Sequence, residues 1–342
     1  MYHTGCDVHD KSTHLQHMDS DGALGLSLHV PTTPEGFSSF LEQLDEPTSI
    51  TLEAGRNYFW LHEFLKEHPM VYKVNVIDPR RGRKLAEELS VVHGYGRAKN
   101  DRIDAEMAAH EARLGLTPSI HVPTPQQLEL RTLVRHRMLF VWEKTATINR
   151  IHGHLAMHGA AISKTMLQNS PDDIKKVLAS VPDYVRFIIN QLRARMWQIE
   201  EHIPACEEFL ERLLPGSHPQ IKLLLTAPGI GLVLARIIYA EILDIAYFKG
   251  HYKYLMSYSG LAPVESESAG KKGVVKLNHF SNHFLKYAFV EAAHHARTHH
   301  KYRRKYQQDV KKHGKIRAKL NLARRLVKAV YWMLARQQPF KA

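Results

Sequence analysis

Two short apolar runs near the amino terminus each lead to an acidic residue. Tyr2–Val8 contains Asp7 near its end, and Ile50–Leu52 runs directly into Glu53. Runs of this length and composition are typical of strands. Acids at strand ends suit a hard cation, because Mg²⁺ prefers carboxylate oxygens and retains waters that a phosphate can replace. The sequence therefore predicts a sheet that presents two carboxylates to a site at its edge.

A second pair of acids lies in the segment Lys99-Asn100-Asp101-Arg102-Ile103-Asp104-Ala105. Residues three positions apart on a helix share one face, with Cβ atoms about 5–6 Å apart. Two carboxylates at that spacing can converge on one metal-bound phosphate. The alternative is that all these acids are ordinary surface residues. We favour phosphodiester chemistry with Mg²⁺, or Mn²⁺ in its place. The candidate catalytic and metal-binding residues are Asp7, Glu53, Asp101 and Asp104.

The chain is basic, with 47 Lys and Arg against 34 acids and a formal net charge of +13. An excess of this size usually neutralises the phosphates of a polyanion. The last 46 residues hold fifteen Lys or Arg and one acid, Asp309. A solvated helix face is the plain alternative, but so one-sided a run favours contact with phosphates. The candidate nucleic-acid-binding residues there are Arg303, Arg304, Arg324 and Arg325.

Three regions follow one another along the chain. Residues 1–122 alternate strand and helix signals, beginning with a meander of three strands, and predict an α/β domain. Residues 123–216 contain two long helical stretches with apolar stripes, typical of a helical hairpin that packs within the chain or against a second subunit. Residues 217–342 are predicted to be mainly helical. The acid placement, together with the order of elements, favours a ribonuclease-H-like fold for the first region.

Two local segments carry further candidates. Ala227-Pro228-Gly229-Ile230-Gly231, between two helical stretches, resembles the turn of a helix–hairpin–helix motif, in which Gly229 and Gly231 would let the backbone approach a phosphate. The loop 260–273 is rich in serine and glycine and carries Lys271 and Lys272. These lysines are compatible with a flexible basic loop that reaches nucleic acid, although on its residues alone a plain surface loop is the favoured interpretation.

The sequence also predicts where the protein works. It has no run of about 18 apolar residues, so no membrane span is expected. Cys6 and Cys206 are too few for a disulfide framework or a zinc site. We therefore expect a cytoplasmic or nucleoid-associated protein in a reducing compartment.

Taken together, the motifs resemble the DEDD transposases of the 110 family of bacterial insertion sequences, bridge-RNA-guided recombinases, in the branch similar to the 1111 group. The resemblance covers nearly the whole chain. It is carried by Gly5-Cys6-Asp7-Val8-His9, Leu52-Glu53-Ala54-Gly55, the Lys99–Ala105 segment, Pro228-Gly229-Ile230-Gly231, Gly260-Leu261-Ala262-Pro263 and the final basic helix.

The resemblance implies a specific architecture and chemistry. A domain similar to Holliday-junction resolvases would hold Mg²⁺ on the four acids, a coiled-coil insertion would drive dimerisation, and a carboxy-terminal transposase domain would supply a nucleophilic serine. That serine lies five residues after the proline of Gly-Leu-x-Pro, which gives Ser268 here, with Ser266 as a competitor. Ala269 follows Ser268 where the family commonly has glycine. The implied partners are donor and target DNA, a structured guide RNA, and further copies in a homodimer or homotetramer.

Two other functions fit parts of the pattern. The acids alone would suit a metal-dependent nuclease or junction resolvase that uses water and forms no covalent intermediate. The basic segments alone would suit an architectural protein that binds DNA or RNA without cleaving it.

Overall fold

The computed structural model describes residues 1–95, 100–117, 119–264, 267–268, 271–272, 276–277 and 281–341, with backbone only at 80, 81 and from 264 to 277. The chain divides into two compact units, Met1–Val122 and Pro123–Ala342. Each unit has its own core.

The first unit is built on a five-stranded mixed sheet. Its strands are β1 (Tyr2–Val8), β2 (Ser12–Met18), β3 (Leu24–Pro31), β4 (Thr48–Glu53) and β5 (Val71–Ile77). Their order is β3-β2-β1-β4-β5. The first three pair antiparallel as a meander, whereas β4 lies parallel to both β1 and β5. The predicted α/β class and the predicted meander are confirmed.

Four helices accompany this sheet: α1 (Pro34–Leu41), α2 (Tyr58–Lys66), α3 (Pro79–Val92) and α4 (Asp101–Arg113). Helix α1 is capped by Thr33, whose side chain accepts a hydrogen bond from the Gly36 amide, and Pro34 occupies its first turn. The core between sheet and helices includes the fully buried residues Leu15, Phe37, Phe40, Ile50, Leu52 and Leu61.

Helix α4 packs directly on the backbone of β1. A Cβ atom placed on Gly5 would lie 1.9 Å from the carbonyl oxygen of Ala105 and 2.5 Å from the amide nitrogen of Ala109. Only glycine leaves room for this approach. Ala105 and Ala109, both fully buried, keep the helix side of the contact small as well. The contact fixes α4 against the strand that carries Asp7.

The second unit is helical. Its helices are α5 (Pro125–Ala156), α6 (Lys164–Asn169), α7 (Pro171–Ala179), α8 (Asp183–Leu213), α9 (Pro219–Leu225), α10 (Leu232–Ile242), α11 (Tyr252–Tyr258), α12 (His283–Ala296) and α13 (His300–Arg336). Four two-residue strands lie between α11 and α12: β6 (Pro263–Val264), β7 (Glu267–Ser268), β8 (Lys271–Lys272) and β9 (Lys276–Leu277).

The two longest helices before residue 216, α5 and α8, form an antiparallel hairpin. Arg137 on α5 forms an ion pair with Glu207 on α8, and Lys144 on α5 forms one of 2.6 Å with Glu200 on α8. Higher residue numbers on α5 therefore lie beside lower residue numbers on α8, as in an antiparallel pair. Apolar residues such as Ile151, Val185 and Ile189 fill the space at the far end of the hairpin. At its base, α5 and α8 share a core with the helices from α9 to α13.

Within the described residues, no helix combines the length and the apolar character that crossing a membrane would require.

Gly5→Ala tests the contact between α4 and β1. The added methyl group would overlap the helix backbone, so we expect a loss of folding free energy of about 1–3 kcal/mol or more. Urea unfolding would measure it. Gly55→Ala is the matched control, because a Cβ there would meet only the Glu53 carbonyl oxygen, at 3.9 Å. Equal effects of the two substitutions would contradict the tight contact.

Candidate active site

The amino-terminal end of α4 is set by a cap. Asn100 has extended backbone angles, and its side chain accepts a hydrogen bond of 2.9 Å from the Ile103 amide. This cap starts the helix at Asp101 and places both Asp101 and Asp104 in its first turn. Acids in that position are stabilised by the helix dipole and by unpaired amide groups. The predicted helical spacing of the two acids is confirmed.

Two parallel neighbouring strands carry the other two acids. Cys6 on β1 is paired with Leu52 on β4, and Asp7 and Glu53 are the next residue on each strand. Gly5 and Asp7 point to the same face of β1, because side chains alternate along a strand. That face is the one that α4 covers at Gly5. The close contact therefore brings the first turn of α4 toward Asp7.

Three ligand atoms meet at this point. One side-chain atom each from Asp7, His9 and Asp101 lies within 4.8 Å of the other two. The His9 Nε2 atom is 3.2 Å from a carboxylate oxygen of Asp7 and 3.6 Å from one of Asp101. Glu53 and Asp104 are not members of this three-residue group. The two carboxylates suit Mg²⁺ or Mn²⁺, whereas the imidazole of His9 is a ligand more typical of the later divalent transition metals.

The electrostatics of Asp7 also favour a cation. Partial burial raises the pKa of Asp7 above its usual range, His9 counteracts this, and the charges of Asp104 and Asp101 raise it further. Three like charges in a partly dry site repel one another unless a positive ion or a proton is present. The donor set therefore fits the divalent metal that the sequence implies.

Two residues near this site are not recognised from the sequence. His9 lies two residues beyond Asp7 in the Gly5–His9 motif, and this spacing is the sequence signal that could have identified it as a candidate metal ligand. Glu111 lies seven residues beyond Asp104 on α4. It is 1% exposed, and its Oε2 atom has no hydrogen-bond partner among the described residues. Burial and the neighbouring charge of Glu53 raise the pKa of Glu111 to about 8.

The predicted phosphate-binding glycines have different surroundings. Gly229 has a φ of +80°, and a Cβ there would lie 2.2 Å from the Ala292 carbonyl oxygen of α12, so packing inside the unit accounts for this glycine. Gly231 caps α10, and a Cβ there would meet nothing within 4 Å. Binding of nucleic acid by either residue stays a prediction.

Two of the four predicted arginines on α13 have partners inside the protein. Arg324 donates to the Leu261 carbonyl oxygen at 2.7 Å, and burial lowers its pKa. Arg325 forms an ion pair of 2.7 Å with Asp309. These contacts favour a structural role for both, because they lie among the buried residues of the helix. Arg303 and Arg304 are exposed, as a phosphate contact requires.

The predicted nucleophile lies in the segment of short strands. Ser268 is in β7 and pairs with Lys271 in β8, while Glu267 pairs with Lys272. The side chains of Ser268, Lys271 and Lys272 lie outside the described part of the structure. So do the whole of Ser266 and of Ala269. The roles of these residues stay predictions.

The first unit combines an α/β fold with a cluster of side chains that could hold a metal ion, and the second unit is helical. A family model for DEDD transposases of the IS110 type, described as "Transposase", matches residues 4–159. A second model, described as "Transposase IS116/IS110/IS902 family", matches residues 221–308. The chain belongs to the IS110 family of transposases, a class of DNA-transposing enzymes.

Two related proteins support the same assignment. The transposase for insertion sequence element IS1111A of Coxiella burnetii is 23% identical over 251 residues, which are 71% of this chain and 68% of that protein. A protein of Sinorhizobium fredii, provisionally named transposase y4rJ, is 23% identical over 268 residues, or 72% of this chain and 65% of the relative. The predicted family is confirmed.

Glu111→Gln tests the buried carboxyl by its pH dependence. The folded protein holds this proton up to about pH 8, whereas an unfolded chain releases it near pH 4.3. Between these values the folded state binds more protons, so stability falls as pH rises. We expect Glu111→Gln to be more stable than the parent at pH 8, by about 1–3 kcal/mol, and similar at pH 5. Urea unfolding at both values measures this, with exposed Glu67→Gln as control. An equal change in the unfolding free energy of the parent and of Glu111→Gln between pH 5 and pH 8 would contradict the raised pKa of Glu111.

The metal site predicts stabilisation by Mg²⁺. At an Mg²⁺ concentration ten times the dissociation constant, the unfolding free energy should rise by about 1.4 kcal/mol. Asp7→Asn and Asp101→Asn should lose this gain. Asp10→Asn should keep it, because Asp10 lies three residues away and pairs with Arg56 at 2.8 Å instead. Urea unfolding with and without Mg²⁺ checks this, and a gain that survives in Asp7→Asn would place the metal elsewhere.

Proposed function

We propose that this protein cleaves and rejoins DNA strands to move an insertion sequence, with an Mg²⁺-binding acidic tetrad and a serine nucleophile. The observation that carries the proposal is the convergence of Asp7, His9 and Asp101 at one point. The charges of Asp104 and Asp101 both act on Asp7 there. Such a concentration of carboxylates is unfavourable by itself and is suited to a divalent cation beside a phosphodiester.

Each acid has a part in this proposal. Asp7, Glu53, Asp101 and Asp104 hold the metal, and His9 orients the Asp7 and Asp101 carboxylates between which it lies. When bound, Mg²⁺ polarises the scissile phosphate and stabilises the negative charge that develops on it. Asp101 and Asp104 are held in place by the first turn of α4, and Asp7 by the paired strand β1. Rigid elements of this kind keep the ligands aligned before the substrate arrives.

Ser268 is the proposed nucleophile. Its hydroxyl oxygen attacks phosphorus, and the bond from phosphorus to the 3′-oxygen breaks. The leaving 3′-oxygen takes up a proton in place of the one that the serine loses, so a free 3′-hydroxyl and a 5′-phosphoserine result. This covalent link preserves the bond for rejoining, when a 3′-hydroxyl attacks the phosphoserine and releases the serine. Lys271 and Lys272 contact backbone phosphates beside it.

The proposed partners follow from the same chemistry. Donor and target DNA are the substrates, and a structured guide RNA selects the sites by base pairing. We propose three functional parts: a ribonuclease-H-like domain at 1–122, a coiled-coil and dimerisation region at 123–216, and a transposase domain at 217–342. The strand order β3-β2-β1-β4-β5 with a parallel β4 supports the first part. The antiparallel pair α5 and α8 supports the second, with a homodimer or homotetramer as the working form.

A metal-dependent nuclease or Holliday-junction resolvase that uses water is the second candidate. It is favoured by one observation, namely that the ligand atoms of Asp7, His9 and Asp101 converge within the first unit. The two candidates differ in whether a covalent intermediate exists.

The test is to trap that intermediate. The purified protein is incubated with Mg²⁺, donor and target DNA and RNA from its own locus, and the products are run on a denaturing gel with and without protease. We expect a protease-sensitive DNA–protein adduct in the parent. Asp7→Asn and Ser268→Ala should each reduce it at least about a hundredfold, as is usual when a nucleophile or a metal ligand is removed.

Two control variants make the result specific. Ser257→Ala changes an exposed serine on α11 and should leave the adduct unchanged. Ser266→Ala distinguishes the two serines, since loss of the adduct there but not in Ser268→Ala would assign the nucleophile to Ser266. Cleaved ends without any adduct, still formed by both serine variants, would establish the water-using nuclease instead.

A further inference from the structure

A basic groove in the second unit is separate from every residue used above for chemistry. It lies where the end of α12 faces the two arms of α13, and it encloses about 960 Å³. Six of its lining residues are basic: His294, Arg297, Arg304, Lys311, Lys315 and Lys319. None of the lining residues, all from the described segment 281–341, is acidic.

The groove exists because α13 bends sharply at Gly314. This residue has φ of 81° and ψ of 166° inside the helix, a conformation that is essentially restricted to glycine. A Cβ at Gly314 would meet nothing within 4 Å. Crowding therefore does not explain the glycine, and its backbone angles do. The bend turns the arm before Gly314 and the arm after it toward a common space.

An ion pair holds the two arms at this angle. Asp309 on the first arm accepts a hydrogen bond of 2.7 Å from Arg325 on the second. Asp309 is only 7% exposed, and a buried pair of this kind specifies one geometry because breaking it leaves an unpaired charge. Asp309 is also the one acid among the last 46 residues. Asp309 pairs with Arg325 and does not line the groove, so no carboxylate there offsets the positive charge of the lining residues.

The lining is not only basic. Tyr306 is half-buried in the wall, and Ile316, 77% exposed, lies just beyond the bend. Gln307 and Gln308 add amide groups that can donate and accept hydrogen bonds. Positive charge with an aromatic ring, an apolar side chain and amides is the combination found in grooves that bind unpaired nucleic-acid strands. Phosphates contact the cations there while bases stack on the ring.

We infer that this groove binds a single-stranded segment of nucleic acid, and the inference rests on the proposed function for the source of that strand. A duplex is stiff over about 150 base pairs and holds its bases stacked inside, so they cannot reach Tyr306 in the wall of the groove. An unpaired strand bends freely and can place its bases against Tyr306. Such strands occur both in a displaced DNA strand and in the loops of a structured RNA.

The test measures binding without chemistry. Fluorescence anisotropy in EDTA compares a uridine strand, a thymidine strand and a DNA duplex of equal length over a range of salt concentrations. For the pair Lys311→Gln and Lys315→Gln, we expect weaker single-strand binding and a salt slope smaller by about 1.4, roughly 0.7 for each lost phosphate contact. Duplex binding should change much less.

The matched control is the pair Lys305→Gln and Lys312→Gln. Both lysines are exposed on the same arm of α13, neither lines the groove, and the net charge changes equally. Equal losses in the two double variants would overturn the inference, since diffuse charge would then account for binding. A larger loss for the duplex than for the single strands would overturn it as well.

Gly314→Ala adds a variant that alters the shape of the groove and no charge. It should weaken single-strand binding, with helical content preserved by circular dichroism, and unchanged binding would overturn the inference. A preference of the parent for uridine over thymidine strands assigns the groove to RNA, and the reverse assigns it to DNA. Lys311→Gln and Lys315→Gln alter no residue proposed to hold the metal or attack phosphorus, and no strand is cleaved in EDTA, so failure of the groove and failure of the proposed chemistry give different results.

Discussion

The contact between Gly5 and α4 is the constraint on which the acidic site depends. With no side chain at Gly5, the helix backbone rests on β1 at Ala105 and Ala109. Asp7 is two residues further along the same face of the strand, and Asp101 is one turn before Ala105 on the helix. The two acids therefore meet only if strand and helix touch at this depth. A shift of α4 by one residue in its register against β1 would rotate Asp101 by about 100° away from the strand.

Much of this arrangement could be predicted from the sequence, because local rules fix it. The strands that carry Asp7 and Glu53, and a helix that contains Asp101 and Asp104, formed where their patterns indicate. Glu111 could not be predicted, since its burial depends on where α4 lies on the sheet. The sequence predicts that Arg325 is a free positive charge available to nucleic acid, whereas in the structure it forms an ion pair with Asp309. Charge along a helix says nothing about which face is buried.

The second unit anchors both ends of the segment that carries Ser268. Before the segment, Arg324 donates to the Leu261 carbonyl oxygen at 2.7 Å. After it, Asn282 caps α12 and donates to Glu241 at 2.6 Å. The side chain of Glu241 is fully buried and accepts two hydrogen bonds from Arg135, so moving it would leave unpaired charges. The ends of the segment are thus tied to the helical core, although the sequence of the segment itself suggests only a surface loop.

Holding a divalent cation requires clustered acids, whereas holding a nucleic acid requires positive charge, and these two requirements conflict electrostatically. The acidic cluster lies in the first unit, and the basic helix α13 lies in the second. A phosphate is repelled by the cluster around Asp7 and Asp101 until a cation is bound, so this site cannot supply the affinity for a polyanion. The affinity must come from the basic residues elsewhere, which account for the net charge of +13. Salt shortens the distance over which exposed basic groups attract nucleic acid. Salt screens the interactions between partly buried acids much less. Under the proposed function, binding would therefore respond to ionic strength and strand cleavage to the divalent cation. Since the basic helix α13 contributes no ligand to the acidic cluster, each property can change by mutation without the other.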